Sequence, residues 1–251
     1  MEVVNLNNEK QRGLLVTFEL ENYGSANEFF VPDGTVSESQ LLERQRMSGM
    51  PLEYAYKFAK DFKFDYYHEN TEKLKDILNG FICEFPKFRD DGRGLYIFSE
   101  TKGSGKTMLA CCVAKEVAKR HDIAVKFVSI PEYIELVKDK SETAKNCVQK
   151  IKDASLLILD DVGTQVENKE WITTALFRLI DYRYGQRLPT IFTSNFTMDE
   201  LKTDERIAER IRAVSAPVKM PEENIRRRLA DEKTKKFLQE VLREKAEEKI
   251  F

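Results

Sequence analysis

The stretch that decides the fold is Gly103-Ser104-Gly105-Lys106-Thr107, which follows the apolar run Leu95-Tyr96-Ile97-Phe98 and precedes a segment of helical periodicity. A strand, a glycine turn and a helix start form a cradle for phosphates, because glycine leaves backbone N–H groups accessible and the helix N-terminus is partly positive. In such a loop Lys106 reaches the β- and γ-phosphates, and the Thr107 hydroxyl holds Mg²⁺. The motif predicts that the chain binds a nucleoside triphosphate.

One position of this loop departs from the common spacing Gly-x-x-x-x-Gly-Lys-[Ser/Thr], because Glu100 stands where the first glycine is expected. A carboxylate near bound phosphates repels them unless it points to solvent. A glycine turn that binds nothing is the alternative interpretation. The departure bears mainly on the rate of turnover.

Composition limits the class of protein. The 251 residues suffice for one large domain, or for one domain with an appendage. An apolar content of 41%, with 33% charged residues and a mean hydropathy of −0.50, indicates a soluble chain with a sizeable core. Apolar runs fall short of the roughly 20 residues that span a bilayer, and the N-terminus lacks the pattern of a secretory signal. We therefore expect a cytoplasmic protein with no membrane partner.

Cysteines and charges exclude two further classes. The four cysteines form no C-x₂-C pair and only two histidines are present, which argues against a zinc site. The net charge of −2 argues against a globally basic nucleic-acid binder. Residues 136–152, however, carry five lysines against two acidic residues. These lysines either contact a nucleic-acid backbone or form a solvated helix face.

From residue 94 onward the sequence alternates between strand and helix patterns. The predicted strands are 95–98, 125–129, 156–160, 190–194 and 216–219, and the predicted helices are 106–120, 131–139, 142–152, 171–185 and 198–202. This alternation, with near-continuous apolar strands, predicts an α/β fold in which a five-stranded parallel sheet lies between helices. Outside this region the sequence predicts a strand over 14–20, helices over 37–46 and 71–83, a helix and turn over 52–67, and a charged helical tail after Pro221.

Two other predicted strands end in polar residues. Asp160 and Asp161 follow an apolar strand, and Asn195 follows the next strand along the chain. Because the carboxyl ends of parallel strands face a common crevice, Asp160 would hold the hydration shell of Mg²⁺ and Asp161 would polarise or position the attacking water. Asn195 would meet the γ-phosphate or its water. Alone, each of these residues would be an ordinary strand end or helix cap. Their occurrence together with the Lys106 loop is what predicts a metal–nucleotide site.

Arginines form two clusters near the C-terminus. Arg206 and Arg210 lie four residues apart on one predicted helical face, and three consecutive arginines occupy 226–228. Each is either a solvated charge or a group that neutralises transition-state charge, in its own nucleotide site or in that of a neighbouring subunit.

These segments together resemble the DnaC/DnaI helicase-loader group of AAA+ ATPases, with the transposition helper IstB close by. The matching pieces are Gly-Ser-Gly-Lys-Thr at 103–107, Leu-Leu-Ile-Leu-Asp-Asp-Val-Gly at 156–163, Leu-Pro-Thr-Ile-Phe-Thr-Ser-Asn-Phe-Thr-Met-Asp-Glu-Leu at 188–201, Arg-Ile-Ala-Glu-Arg-Ile at 206–211 and Asn-Ile-Arg-Arg-Arg at 224–228. The resemblance covers roughly residues 48–230. We accordingly expect an N-terminal arm for partner docking at 1–47, an AAA+ P-loop ATPase domain at 48–230 and a C-terminal amphipathic helix at 231–251.

The resemblance implies ATP and Mg²⁺ as cofactors and assigns roles by position. The implied nucleotide-binding residues are Gly103, Ser104, Gly105, Lys106, Thr107, Met108 and Arg228, with Arg226 as the fallback for the last. Thr107 and Asp160 would hold the metal. Asp160, Asp161 and Asn195 would be catalytic, and Arg210 would be the arginine finger through which subunits self-associate.

The resemblance also implies a function. It implies a self-assembling ATPase that loads a replicative DnaB-type helicase onto single-stranded DNA, with a DNA contact near residues 130–152. Two alternatives stay open: an IstB-like transposition helper bound to duplex DNA, and a nucleotide-gated adaptor with little hydrolysis, which Glu100 motivates. The N-terminal segment is much shorter than the helicase-binding domain of the group, which leaves the form of the helicase contact open.

Overall fold

A computed structural model describes residues 2–8, 11–19, 26–32, 48–55, 57–164, 170–201 and 203–244. The first three segments form an antiparallel sheet of β1 (Glu2–Asn8), β2 (Gln11–Glu19) and β3 (Ala26–Pro32), in that order. Strand β2 corresponds to the strand expected over 14–20, whereas β1 and β3 were not expected, because asparagine and glutamate interrupt their apolar residues. The helix expected over 37–46 lies outside the described residues.

A five-stranded parallel sheet forms the centre of the remaining chain, and its strand order is β5-β6-β7-β4-β8. The strands are β4 (Gly94–Phe98), β5 (Val125–Ser129), β6 (Leu156–Val162), β7 (Thr190–Ser194) and β8 (Ser215–Lys219). All five predicted strands are therefore confirmed. Their apolar residues are almost wholly buried, as expected for a parallel sheet that is covered on both sides.

The described helices are α1 (Leu52–Ala55), α2 (Glu72–Cys83), α3 (Phe85–Asp90), α4 (Lys106–His121), α5 (Ile130–Lys138), α6 (Glu142–Lys152), α7 (Glu170–Gly185), α8 (Glu205–Val214) and α9 (Ile225–Glu244). The helix predicted over 198–202 is wrong in its described part, where residues 198–200 form bends and residue 201 is not helical. The reason is local: the Asp204 carboxylate accepts the N–H of Arg206 and so caps α8, which starts later. None of the helices in the described ranges is long and apolar enough to cross a membrane.

The two faces of the sheet carry separate apolar cores. Leu156 and Ile158 of β6 pack with α2, α3, α4 and the start of α9, whereas Leu157 and Leu159 pack with α5, α6, α7 and α8. Successive strand residues point to opposite faces, so one apolar strand serves both cores. The carboxyl ends of β4, β6 and β7 consequently open at the same edge of the sheet, which is where parallel α/β sheets bind their ligands.

Candidate nucleotide site

The loop between β4 and α4 has the conformation that its glycines predict. Gly103 and Gly105 adopt positive φ angles of 79° and 93°, which disfavour a side chain. Gly103 also lies against the segment before α9, since a Cβ there would fall 2.7 Å from the Asn224 side-chain oxygen. Both glycines are therefore required by backbone geometry, and α4 begins directly after them at Lys106.

A cavity of about 300 Å³ opens over this loop and continues to the ends of β6 and β7. Its lining residues are Tyr54, Lys102, Gly103, Gly105, Lys106, Thr107, Met108, Asp161, Thr164, Asn195 and Arg226. The structure thus brings together the predicted residues of the phosphate loop with one of the two aspartates and with Asn195. The two ends of the cavity differ in chemistry, with Asp161 and Asn195 at the strand ends and Tyr54 beside Arg226.

Lys106 is buried at the base of this cavity, with 6% of its surface exposed. Its Nζ donates hydrogen bonds to the carbonyl oxygens of Ser99 (3.0 Å) and Thr101 (3.1 Å) and to the hydroxyl oxygen of Ser104 (3.2 Å). Burial lowers the pKa of Lys106, while the neighbouring carboxylates, Asp161 first, act to raise it. The loop's own oxygens therefore hold the ammonium group at the base of the cavity.

The two aspartates lie in a β-bulge. Leu159 of β6 pairs with Phe192 of β7 and Val162 pairs with Ser194, so that Asp160 and Asp161 together face the single residue Thr193. Asp161 adopts a φ of 61°, in the left-handed region. Because a bulge redirects side chains, the pair splits: Asp161 lines the cavity, and Asp160 stays buried beneath it with 6% exposure.

The buried carboxylate of Asp160 has hydroxyl neighbours. Burial raises its pKa to about 6, hydrogen bonds from Thr193 and Thr107 act to lower it, and Asp161 acts to raise it. The hydroxyl of Thr107 and the carboxylate of Asp160 are the hard oxygen donors that Mg²⁺ prefers. A cation there would also balance a charge that is otherwise buried, so these residues fit a magnesium–nucleotide complex.

The remaining predicted residues lie at or outside the edge of the cavity. Ser104 is buried beneath the loop, where its carbonyl oxygen accepts the hydroxyl of Tyr67 at 2.5 Å. Arg226 lines the cavity, whereas the guanidinium of Arg228 lies 5.4 Å from the centre of the Tyr66 ring, away from the lining. The structure thus brings the fallback arginine to the cavity, and a nucleotide-binding role for Arg228 stays a prediction.

Arg210 lies on α8, apart from the cavity of its own chain. Its Nε donates to the Asp181 carboxylate at 2.9 Å, and its guanidinium lies 4.6 Å from the centre of the Tyr184 ring. Asp181 and Tyr184 both belong to α7, and Arg210 is about two-fifths exposed. This position suits a group that acts outside its own subunit.

Sequence reasoning missed three residues at this site. Thr193 lies within the predicted strand 190–194, and its place opposite the aspartates could have been found by pairing that strand with the strand of Asp160. Tyr54 and Glu222 are remote in sequence from the loop that they approach, so local patterns carry no signal for them. Glu222 reaches the loop through hydrogen bonds to residues 99–101.

Comparison with known proteins gives consistent relatives. Residues 39–213 match the family described as IstB-like ATP binding protein. The replicative helicase loader DnaI of Bacillus subtilis (strain 168) is 30% identical over 152 residues, which are 54% of this chain and 48% of DnaI. The chain thus spans about half the length of the curated relatives that it matches.

Solved structures agree with this assignment. A crystal structure of DnaI is 28% identical, has a TM-score of 0.60 and covers 68% of this chain and 95% of its own. A putative primosome component from Streptococcus pyogenes serotype M3 is 24% identical, with a TM-score of 0.61 and coverage of 74% and 97%. The chain belongs to the family of IstB-like ATP binding proteins, and its P-loop fold is that of the DnaC/DnaI group of AAA+ proteins.

Proposed function

We propose that this protein is an ATPase that loads a replicative DNA helicase onto single-stranded DNA. The observation that carries the proposal is the convergence of Lys106, Thr107, Asp160, Asp161 and Asn195 at one cavity, in a chain whose relatives include a helicase loader. A chain that binds nucleotide without hydrolysing it needs the phosphate loop and a metal ligand such as Asp160, but it does not need Asp161 and Asn195 to orient an attacking water.

The residues have separable tasks in this proposal. The N–H groups of the loop and the ammonium of Lys106 bind the β- and γ-phosphates. Thr107 and Asp160 hold Mg²⁺, which when bound neutralises charge on the phosphate oxygens. Asp161, which lines the cavity, accepts a hydrogen bond from the attacking water and orients it. The Asn195 amide positions the same water or the γ-phosphate.

Subunit assembly would complete the site. Arg210 does not line the cavity of its own chain, so we propose that it enters the cavity of a neighbouring copy and stabilises the charge that develops there. Nucleotide-dependent assembly follows, because the arginine and the triphosphate attract each other across the interface.

We propose that the lysines of α5, α6 and the connection between these helices contact the DNA backbone. Lys138, Lys140, Lys145 and Lys150 are exposed, and Lys145 is paired with Glu142. Lysines on a surface supply a contact with phosphates that does not depend on base sequence. The salt dependence of binding to a labelled oligonucleotide tests this part.

The direct test is a pull-down of candidate DnaB-type helicases by the tagged protein, with and without ATP. We expect ATP-dependent capture by the wild type and loss of capture by Lys106→Ala. Equal capture by both proteins, or capture that ignores ATP, would contradict an ATP-dependent loader. If the two proteins release phosphate equally slowly while ATP still alters capture, the nucleotide-gated adaptor is the better account.

A second candidate is a transposition helper that binds duplex DNA. It is favoured by one observation, the match of residues 39–213 to the IstB-like family. This function predicts ATP-dependent binding and filament formation on duplex DNA without any helicase. Electron microscopy of the protein with duplex and with single-stranded DNA distinguishes the two functions.

A further inference from the structure

Glu222 lies between β8 and α9, and its carboxylate binds the first residues of the phosphate loop. It accepts hydrogen bonds from the N–H of Thr101 (2.8 Å), the N–H of Glu100 (3.3 Å) and the hydroxyl of Ser99 (2.9 Å). Burial acts to raise the pKa of Glu222, but these hydrogen bonds outweigh it, and the pKa lies below its ordinary value. The side chain is therefore an ionised acceptor with three donors.

The residues that Glu222 holds are the ones that hold Lys106. The carbonyl oxygens of Ser99 and Thr101 accept the Lys106 ammonium at 3.0 and 3.1 Å. Glu222 binds the opposite, donor side of the same short segment. Moving this segment would move both carbonyls, and with them the direction of the ammonium group.

This arrangement also bears on the unusual residue of the loop. Glu100 has an exposed side chain and a negative φ angle, so its position does not demand glycine. Its side chain points to solvent, while its N–H is used by Glu222. Glu222, which lies between β8 and α9, thus holds the first residues of the phosphate loop by hydrogen bonds.

The same C-terminal segment follows the loop further. The N–H of Met220 donates to the carbonyl of Phe98 at 2.8 Å, and the N–H of Arg226 donates to that of Gly103 at 3.0 Å. Residues 220–226 therefore run beside residues 98–103, with Glu222 between the two backbone contacts. Arg226 ends this run inside the cavity.

We propose that Glu222 is a positioning residue for Lys106: it fixes the backbone carbonyls that hold the ammonium group at the base of the cavity, and it thereby links helix α9 to the nucleotide cavity. The inference rests on the nucleotide binding proposed above. It goes beyond that function because it assigns a role to a residue that does not line the cavity and lies outside the phosphate-loop motif.

Charge repulsion alone predicts the opposite change in nucleotide affinity when Glu222 is removed. The direction of the change therefore distinguishes the two effects. Glu222 is a negative charge near the place where phosphates would bind, so its removal should strengthen the binding of an anionic ligand. Loss of positioning should weaken binding, because the lysine and the loop would no longer be held in place.

Glu223 supplies a matched control with the same charge in the same segment. Its carboxylate accepts from the N–H of His68 at 2.7 Å and contacts the His68 ring, and it holds residues 68–69 rather than the phosphate loop. Glu222→Ala, Glu222→Gln and Glu223→Ala are compared by fluorescence titration with MANT-ADP, beside the wild type. We expect affinity to fall by about tenfold or more in Glu222→Ala, less in Glu222→Gln, and by under about twofold in Glu223→Ala.

A second measurement does not depend on nucleotide. Hydrogen exchange of the Glu100 and Thr101 amides in the ligand-free protein should speed up in both Glu222 variants and remain at the wild-type rate in Glu223→Ala. Unchanged or tighter MANT-ADP binding by both Glu222 variants would overturn the inference while leaving the proposed function intact. A wild type that binds no nucleotide would overturn the proposed function, and unchanged exchange of the Glu100 and Thr101 amides in the Glu222 variants would then overturn the inference as well. Glu222→Gln decides the matter if Glu222→Ala does not fold.

Discussion

The hydroxyl of Thr193 donates a hydrogen bond to the buried carboxylate of Asp160, with 2.5 Å between the two oxygens. The hydroxyl oxygen of Thr193 also accepts the N–H of Asp161 at 3.0 Å, so that one threonine binds both residues of the bulge. Thr193 is itself fully buried. It therefore sets both the position of the aspartate pair and the ease with which Asp160 ionises.

Thr193→Val should shift the pH dependence of ATP hydrolysis at low Mg²⁺–ATP concentration, where the rate depends on the ionisation of Asp160 before metal and nucleotide bind. The lost hydrogen bond favoured the ionised carboxylate, so the pKa of Asp160, now about 6, should rise, by about 1 if the bond contributes what bonds to charged groups usually do. Activity relative to wild type should be lower at pH 6 than at pH 8. Thr197→Val, at a partly exposed site, is the control, and an equal loss at both pH values would contradict the prediction.

Asp160→Asn should stabilise the protein in the absence of nucleotide and metal, even as it abolishes hydrolysis. The pKa of Asp160 is raised from an ordinary 3.8 to about 6. The folded state therefore binds the extra proton, and this contribution to stability is present below pH 3.8 and is lost as the pH rises through 6.

At pH 8 the ionised carboxylate thus costs up to about 3 kcal/mol, which the neutral amide avoids. We expect the free energy of unfolding in urea with EDTA to increase at pH 8 and to change little at pH 4. Asp161→Asn is the control, expected to change stability by under about 0.5 kcal/mol because Asp161 is only partly buried. A destabilised Asp160→Asn at pH 8 would be the contrary result.

Glu100→Gly should have little effect, although it restores the common motif. The Glu100 side chain is exposed and its φ angle is negative, so glycine relieves neither a clash nor strain. We expect MANT-ADP affinity and phosphate release within about twofold of wild type, since exposed charges interact weakly in water. A large gain in turnover would show that the Glu100 side chain acts on the site.

Arg210→Ala should keep nucleotide binding and lower hydrolysis by at least about a hundredfold. Arg212, two residues away, is exposed and paired with Asp199, so Arg212→Ala is the control. If Arg210 acts in a neighbouring copy, a mixture of Arg210→Ala and Lys106→Ala proteins should regain activity that neither shows alone. A mixture that stays inactive would contradict action between subunits.

Arg183 is a stability element that the sequence did not reveal. It is 2% exposed, and its guanidinium donates to four backbone carbonyls, among them those of Lys152 and Pro189, and to the Thr190 hydroxyl. These contacts join the end of α6 to the start of β7. Arg183→Met should lower the free energy of unfolding by about 3 kcal/mol or more, because the buried acceptors lose their donors. Arg178→Ala, exposed on the same helix, should cost under about 0.5 kcal/mol by the same urea assay.

Much of the fold could be predicted because strand and phosphate-loop signals are local. Five apolar runs gave five strands, and the polar residues that end β6 and β7 reached the same cavity as Lys106. Sequence order did not predict the strand order, in which β4 lies between β7 and β8. That order depends on which strands pair, and pairing is a long-range property.

The rest of the site could not be predicted, for the same physical reason. The bulge at Asp160 and Asp161 arises from register between two strands, and Glu222 reaches the loop across more than a hundred residues of chain. The helix predicted over 198–202 failed because Asp204, two residues past its predicted end, caps the later helix α8. The bulge and the Glu222 contact, by contrast, depend on partners that no window of sequence contains.

Strand β8 stands at the end of the five-stranded sheet and is bonded to β4 along one side. Because β8 pairs only with β4, its backbone hydrogen bonds can be lost without breaking those between the other strands. A pull on α9 would reach the Arg226 and Glu222 contacts with the phosphate loop first and the hydrogen bonds between β8 and β4 afterwards. A partner that binds and displaces α9 would therefore act on the phosphate loop, and through the loop on nucleotide release.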